Sequence, residues 1–149
     1  MALPDDREAW LQMRCDLWPE GSVTEHGAEI DAFFAGTLKM SLAALIAVDG
    51  SGDAVGFAEL SIRAYAENCV TDRVAYLEGW YVVPHARRRG VGRALVLAAE
   101  QWAVTQGCSE FGSDALLENE LSATAHRALG FEETVQIRCF KKMLGPGEP

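Results

Sequence analysis

The chain has 149 residues, of which 49% are hydrophobic and 23% are charged, a balance typical of one globular domain. Its formal net charge of −9 argues against a nucleic-acid-binding protein, because such proteins present a broad basic face. The sequence also lacks the basic-then-apolar start of a signal peptide and any apolar run of about 20 residues, so we expect a cytoplasmic protein that does not span a membrane.

Two amphipathic helices are predicted before the first clear strand. The first covers residues 5–18 and ends at Pro19-Glu20-Gly21, and the second covers residues 22–38, where apolar residues recur at helical spacing. Helices placed in this way often cover one face of a sheet and carry substrate contacts. Trp18, where the two helices meet, is therefore either a core residue or an aromatic wall for a ligand.

A β-hairpin and a third strand are predicted next. Residues 42–49 and 55–62 are apolar runs on either side of a Gly-Ser-Gly-Asp turn, which is the pattern of a hairpin. The polar segment 63–73 is expected to be a loop or a strand extension. It leads to a strand at residues 75–83, which is rich in aromatic and β-branched residues and stops at Pro84.

The second half of the chain alternates helices and strands. A helix is predicted over residues 94–105 and is closed by Gly107, and a short strand over residues 109–114 follows it. A strand, a helix and a strand of this length imply a right-handed parallel crossover. A helix over residues 119–129 and a last strand over residues 134–142 complete the pattern.

We expect one domain over residues 1–144 and a disordered tail, rich in Gly and Pro, over residues 145–149. Four cysteines and three histidines are widely spaced, without a C-x-x-C pair, which indicates free thiols in a reducing compartment and no metal site. An acidic chain with a cluster of arginines suits a protein that binds an anionic cofactor locally and a cationic ligand elsewhere. Simple solubility is the alternative explanation of the acidity.

The arginine- and glycine-rich turn at residues 84–93 has the composition of an anion-binding site. Glycines let the backbone approach a ligand, and the free N–H groups at the start of the next helix attract a phosphate. A dinucleotide-binding G-x-G-x-x-G turn would need glycine where Leu95 stands, and the Lys-Ser/Thr pair of a Walker loop is absent. What remains, Arg87-x-x-Gly90-x-Gly92, resembles the acetyl-CoA pyrophosphate turn of the GCN5-related N-acetyltransferase superfamily. A solvated arginine-rich turn is the alternative.

The resemblance implies the fold of that superfamily. This is an α/β (α+β) architecture with a mixed, mostly antiparallel sheet, a central pair of parallel strands that splay apart, and helices on both faces. Here the splayed pair would be the strands at residues 77–83 and 110–114. The resemblance assigns acetyl-CoA binding to Trp80, Tyr81, Val82, Arg87, Arg88, Arg89, Gly90, Val91, Gly92 and Arg93.

Two carboxylates stand out, one on each of these strands. The charge of Glu78 is costly in its apolar surroundings unless the side chain faces a wet cleft or meets a cation. We predict that Glu78 binds the amine that is acetylated and takes its proton, directly or through water; the alternative is an ion pair with Arg63. Asp114 lies at the carboxyl end of its strand, which is the ligand side of an α/β sheet, and its alternative role is a helix cap.

Asn119 and His126 are candidates on the last predicted helix. Asn119 is at its start, where the side chain either reaches the cofactor or caps the helix. His126 stands four residues before Gly130, where the superfamily often has a tyrosine that is assigned as the acid for the departing thiolate. A histidine can donate that proton, and a packed or surface histidine is the alternative.

The resemblance narrows when the motifs are taken together. Across nearly the whole chain they are similar to the aminoglycoside 6′-N-acetyltransferases, in the segments Leu17-Trp18-Pro19, Leu77-Glu78-Gly79, Arg87-x-x-Gly90-x-Gly92, Ser113-Asp114-Ala115, Glu118-Asn119 and 126–134. This implies a homodimer that transfers an acetyl group from acetyl-CoA to the 6′-amine of an aminoglycoside, which confers resistance.

The same resemblance implies roles for single residues. Its aminoglycoside pocket would be lined by Trp18, Tyr65, Glu78 and Asp114, its catalytic groups would be Glu78, Asp114 and His126, and Asn119 would contact the cofactor. Val135 stands where members of that family often have a further acidic residue.

Carboxylates suit a polycationic aminoglycoside, because they bind ammonium groups through charge-assisted hydrogen bonds. Two other functions fit the same residues. One is an acetyltransferase of the same fold that acts on a polyamine, a peptide N-terminus or a lysine. The other is a non-catalytic sensor that binds acyl-CoA, and the pair of carboxylates argues against it.

Overall fold

The computed structural model of the chain describes residues 1–38 and 42–143. The helices are α1 (Arg7–Leu17), α2 (Val23–Phe34), α3 (Val91–Thr105) and α4 (Glu120–Ala128), with 3₁₀ turns at Pro4–Asp6 and Pro84–Ala86, and the strands are β1 (Leu42–Val48), β2 (Ala54–Arg63), β3 (Val74–Val82) and β4 (Phe111–Ser113). None of the helices in these ranges combines the length and the apolar composition that a membrane span requires. The predicted elements form with ends shifted by a few residues, apart from the last strand.

The four strands form one sheet in the order β1-β2-β3-β4. β1, β2 and β3 are antiparallel neighbours, whereas β3 and β4 are parallel and pair from Ala75–Phe111 to Leu77–Ser113. Past Leu77, β3 has no partner on the β4 side within the described ranges, so the parallel pair opens there. This sheet, with helices on both faces, confirms the predicted fold class, although β4 lies at its edge and the parallel pair is not central.

The strand predicted over residues 134–142 is wrong. Residues 132–143 form no helix or strand, and most of them are exposed, as Phe140 is at 91%. The alternating apolar residues Val135 and Ile137 have strand character, but a strand also needs a neighbouring edge to pair with. β4 has an edge of three residues, too short to pair with the whole segment. The predicted domain end at residue 144 and the predicted tail lie outside the described residues.

A β-bulge in β3 decides which way its central side chains point. Glu59 of β2 pairs with Gly79 and Leu60 pairs with Leu77, so Glu78 is an extra residue in β3. Such an extra residue breaks the alternation of a strand and re-aims the side chains on either side of it. Glu78 and Gly79 consequently both face the side of the sheet that α1 and α2 cover, although they are adjacent in sequence.

Helices cover both faces of the sheet, and each face has its own core. On one side α3 packs Leu95, Val96 and Ala99 against buried β-strand residues, with Trp80 beside them. On the other side α1 and α2 bury Trp10, Met13 and Ile30 against Ala44 and Phe57. Burial of apolar area on both faces is the main source of stability for such a layered fold.

A charged cluster lies inside the second core. Glu59 on β2 accepts a hydrogen bond from the Trp10 indole at 2.8 Å, and the Arg14 Nε lies 3.4 Å from the same oxygen. Arg14 is buried and also forms an ion pair with Glu29. Burial raises the pKa of Glu59, while the charge of Arg14 acts in the opposite direction. Arg14 is therefore the cation that compensates a buried carboxyl group.

Candidate active site

The open end of the β3–β4 pair exposes backbone groups. From Gly79 to Val82, β3 pairs with β2 alone among the described strands, so one edge of this segment is free. Trp80, Tyr81 and Val82, which the resemblance assigns to the cofactor, lie on this edge. An unpaired strand edge can accept a ligand as if it were a further strand, through its N–H and C=O groups.

The turn after β3 concentrates free N–H groups. α3 begins at Val91, earlier than predicted, so its first turn contributes Val91, Gly92 and Arg93, and Gly90 takes a left-handed conformation (φ 86°) before it. Among the described residues, no hydrogen bond uses the backbone N–H groups of residues 88–93. Unpaired N–H groups at the positive end of a helix form a natural binding site for a phosphate. The turn therefore fits a pyrophosphate.

The arginines of this turn have two different roles. Arg87 folds back, so that its Nε donates to the Val82 carbonyl at 2.8 Å and its guanidinium lies 5.5 Å from the centre of the Tyr81 ring. Arg87 thus joins the end of β3 to the turn. Arg88, Arg89 and Arg93 are exposed and form no ion pair with any residue that the structure describes, and they can therefore meet an external anion.

Glu78 forms the ion pair that was its alternative role. Its oxygens accept hydrogen bonds from the Arg63 Nε at 2.9 Å and the Arg63 Nη2 at 2.6 Å, and Ser61 donates to it as well. The Glu78 side chain nevertheless keeps 25% of its surface exposed. Glu78 is thus both paired inside the protein and open to a ligand.

Asp114 follows β4 and is exposed, and it accepts a hydrogen bond from the Tyr76 hydroxyl at 2.8 Å. Burial and the neighbouring Asp114 raise the pKa of Tyr76 well above its usual range, so the phenol keeps its proton and acts as the donor. The helix-cap alternative for Asp114 does not form, because Asn119 caps α4.

Trp18 takes the core role, one of its two predicted alternatives. Its ring packs on the backbone of Gly79, where an added Cβ would lie 2.5 Å from the ring, and it stacks near His26 with ring centres 6.1 Å apart. The half-buried ring is thus a core residue beside Glu78, the neighbour of Gly79. Tyr65, two residues past the end of β2, is 68% exposed.

Asn119 and His126 are tied into α4. Asn119 accepts a hydrogen bond from the Ser122 N–H at 3.0 Å, which is the helix-cap alternative. The His126 Nδ1 lies 2.8 Å from the Ser122 carbonyl, and its Nε2 lies 2.9 Å from the Ser113 hydroxyl. Because a carbonyl only accepts, neutral His126 carries its proton on Nδ1, and the Nε2 lone pair faces Ser113. The ring also packs edge-on against Trp80, with centres 5.4 Å apart.

The structure brings in three polar residues that the sequence reasoning did not select: Ser61, Tyr76 and Ser113. The signal for Tyr76 was available, because it stands two residues before Glu78 and alternate strand residues share a face. The sequence carries no comparable signal for Ser61 and Ser113, because the role of each depends on a partner from a distant segment. No group of three or more His, Cys, Asp or Glu in the described part of the chain is placed to hold a metal ion.

The residues around the open parallel pair divide by charge. The turn leads into α3 and contributes arginines and free N–H groups. Glu78 lies on the opposite face of the sheet, bonded to Ser61, and Asp114 is bonded to Tyr76, which pairs with Ser61 on that face. An anionic ligand on the first side and a cationic ligand on the second would meet where β3 and β4 separate. Holding two reactants together in this way is itself a large contribution to catalysis.

Comparison with known proteins agrees with this arrangement. A family model described as Acetyltransferase (GNAT) family matches residues 8–131. Aminoglycoside N(6′)-acetyltransferase type 1 of Klebsiella aerogenes is 58% identical over 139 residues, which cover 93% of this chain and 91% of that protein. The enzyme of the same name from Serratia marcescens is 39% identical over 142 residues, 95% of each chain.

Solved structures of aminoglycoside 6′-N-acetyltransferases are also similar to this chain. AAC(6′)-Iy in complex with the bisubstrate analog CoA-S-monomethyl-acetylneamine is 37% identical, with a TM-score of 0.87 over 95% of this chain and 94% of that one. Apo AAC(6′)-Ig from Acinetobacter haemolyticus, an aminoglycoside antibiotic 6′-N-acetyltransferase, is also 37% identical with a TM-score of 0.87, over 97% of both chains.

Proposed function

The chain belongs to the acetyltransferase (GNAT) family, and we propose that it transfers the acetyl group of acetyl-CoA to the 6′-amine of aminoglycosides. The observation that carries this proposal is the pair of oppositely charged regions on the two sides of the open β3–β4 pair. The relatives named for this reaction match nearly the whole chain, and one of them binds an analog that joins the two substrates. The activity confers resistance to these antibiotics.

β3 and the turn that follows it bind acetyl-CoA. Its pyrophosphate lies against the free N–H groups of residues 88–93, with Arg88, Arg89 and Arg93 as counter-charges. The free edge of β3 at Trp80, Tyr81 and Val82 holds the pantetheine arm and the acetyl oxygen. Arg87 keeps this edge and the turn in a fixed relation, because it bonds the Val82 carbonyl. Asn119 contacts the cofactor only through backbone or remaining amide atoms, since its Oδ1 caps α4.

The aminoglycoside binds on the side of the open β3–β4 pair that carries the carboxylates. Glu78 and Asp114 accept hydrogen bonds from the protonated 6′-amine of the amino sugar, Trp18 forms an aromatic wall beside Glu78, and Tyr65 is free to fold over the ligand. Since Glu78 already accepts three hydrogen bonds, it anchors and orients the amine, and a proton leaves through water beside it.

His126 and Ser113 deliver a proton to the departing thiolate. The Ser113 hydroxyl lies at the last pair of β3 and β4, where the strands separate, and the His126 Nε2 is 2.9 Å away. Ser113 can give its own proton to the departing thiolate of CoA and take another proton from His126. The two side chains therefore form a short proton path. His126 donates along this path when it is charged, because Nδ1 holds the only proton of the neutral ring.

The direct test compares aminoglycosides that differ only at position 6′. We expect release of the free CoA thiol from acetyl-CoA with a compound that has a 6′-amine and none with its 6′-hydroxyl counterpart, because a hydroxyl is a weaker nucleophile and carries no charge for the carboxylates. Equal release with both compounds contradicts the proposal. Faster turnover of spermidine than of any aminoglycoside identifies the alternative, an acetyltransferase of other amines.

The turn provides a prediction for the co-substrate. The double variant Arg88→Gln/Arg89→Gln is expected to raise the KM for acetyl-CoA by at least about tenfold, since one charge-assisted hydrogen bond contributes about 1.5 kcal/mol. The KM for the aminoglycoside should stay unchanged in steady-state thiol release. Arg73→Gln is the matched control, because Arg73 is exposed and the Gln106 carbonyl is the only group it bonds among the described residues. The reverse pattern of KM changes contradicts a pyrophosphate site at this turn.

We also propose that the enzyme is a cytoplasmic homodimer. Its four cysteines are free thiols, which suits a reducing compartment. The exposed segment 132–143 has several apolar side chains, and a second copy of the chain would cover them.

A further inference from the structure

We propose that Arg63 is a positioning residue that joins Glu78 and Asp114 into one amine-binding unit and leaves a single free acceptor site on Glu78. The inference rests on the proposed function, because the amine bound there is the 6′-amine of the aminoglycoside. It resolves the two roles of Glu78, since the ion pair with Arg63 becomes part of the binding site.

Three hydrogen bonds occupy the Glu78 oxygens. Arg63 Nε donates to Oε1 at 2.9 Å, Arg63 Nη2 donates to Oε2 at 2.6 Å, and the Ser61 hydroxyl also donates to Oε1. A carboxylate oxygen accepts about two hydrogen bonds. Oε1 is therefore saturated, and Oε2 keeps one site on a side chain with 25% of its surface exposed. The free site has a fixed direction because the two-pronged contact with Arg63 prevents rotation of the carboxylate.

Arg63 is also linked to Asp114, through Tyr76. The guanidinium carbon of Arg63 lies 3.4 Å from the centre of the Tyr76 ring, so the two planar groups are in contact. The Tyr76 hydroxyl in turn donates to Asp114 Oδ1 at 2.8 Å. Asp114 Oδ2 accepts no hydrogen bond from the residues that the structure describes. Arg63 thus holds Glu78 directly and holds Asp114 through Tyr76.

The unit formed by Arg63, Glu78 and Asp114 carries a net charge. Burial lowers the pKa of Arg63, but the hydrogen bond with Glu78 and the charges of Glu78 and Asp114 raise it overall, so both acids act on this one cation. Two carboxylates and one guanidinium leave one net negative charge. That charge matches a single ammonium group, so Arg63 limits the unit to one amine at a time.

The role needs an arginine. A guanidinium is planar and can place two N–H groups on a carboxylate while its face lies on an aromatic ring. A lysine restores the positive charge but has neither the two-pronged contact nor the stacking surface. Arg63→Lys therefore separates the effect of charge from the effect of geometry.

The test measures thiol release with a 6′-amino aminoglycoside for wild-type enzyme, Arg63→Met, Arg63→Lys and the control Arg73→Met. Arg63→Met should raise the KM for the aminoglycoside by about tenfold or more, the equivalent of one charge-assisted hydrogen bond, and leave the KM for acetyl-CoA unchanged. Arg63→Lys should recover only part of the loss, and Arg73→Met should match the wild type. An unchanged aminoglycoside KM in Arg63→Met overturns the proposal.

A double-mutant cycle tests the coupling to Asp114. If Arg63 acts on Asp114 through Tyr76, Arg63→Met has a smaller effect on aminoglycoside KM in the Asp114→Asn background than in the wild type. Independent, additive effects overturn the coupling. Tyr76→Phe tests it without removing the arginine, because it keeps the ring under Arg63 and deletes the hydroxyl that holds Asp114. It should raise the aminoglycoside KM several-fold, and this variant decides the matter if Arg63→Met does not fold.

Different results would contradict the proposed function and the role of Arg63. A wild-type enzyme that releases no thiol with any aminoglycoside overturns the proposed function and this inference with it. An active wild type with an additive cycle overturns the inference alone.

Discussion

The Glu78→Gln variant is expected to lose about 100-fold or more in kcat/KM for a 6′-amino aminoglycoside, because charge-assisted hydrogen bonds contribute about 1.5–3 kcal/mol each and at least two are affected. The substrate ammonium loses its anionic acceptor at Oε2. The new amide also presents a donor to the donors of Arg63, which pushes the side chain out of position. Steady-state thiol release at varied aminoglycoside concentration measures the loss.

The KM for acetyl-CoA should change little in Glu78→Gln, because the carboxylate lies on the other side of the open strand pair from the turn. Glu100→Gln is the matched control, since Glu100 lies on α3 and forms no ion pair with a described residue. A thermal unfolding curve separates loss of function from loss of fold. Wild-type kinetics in Glu78→Gln would remove Glu78 from the aminoglycoside site.

The Arg14→Met variant is expected to lose about 3–5 kcal/mol of unfolding free energy, the usual cost of leaving one partner of a buried ion pair alone. Arg14 and Glu59 are both buried, and the indole of Trp10 is then the only described group that still donates to Glu59. Urea unfolding at neutral pH measures the change. The variant Arg14→Met/Glu59→Met should recover most of the loss, because it removes the buried charge as well.

The cost of Arg14→Met depends on pH in a defined direction. Burial raises the pKa of Glu59 in the folded protein above its unfolded value. A group of this kind contributes its full stabilisation of the folded state when the pH is below its pKa in the unfolded chain. That contribution to the unfolding free energy is lost as the pH rises through its pKa in the folded protein. The variant should therefore approach wild-type stability as the pH falls and Glu59 takes up a proton. A cost that is independent of pH would show that lost packing, and not the buried charge, is its cause.

The fold was predictable because its signals are local. Apolar residues at helical spacing marked α3, the run of aromatic and β-branched residues up to Pro84 marked β3, and glycines and arginines between them marked an anion-binding turn. These signals lie within one segment each, and short-range sterics and hydrogen bonding enforce them. Glu78 and Asp114 became candidates for a similar reason, since a charge in an apolar strand and an acid at a strand end are both visible without any partner.

Local residue patterns were therefore enough to identify the family, the order of most elements, the turn and two candidate carboxylates. The folded chain sets how the carboxylates are held, because Arg63, Ser61 and Tyr76 reach them across strands. It also decided that Ser113 faces His126 and that residues 134–142 do not pair as a strand. The contacts of the carboxylates depend on the register between strands and on the bulge in β3, and the unpaired segment depends on the short edge of β4. A one-residue change in register turns a side chain to the opposite face of the sheet. Residue patterns within one segment do not contain that register.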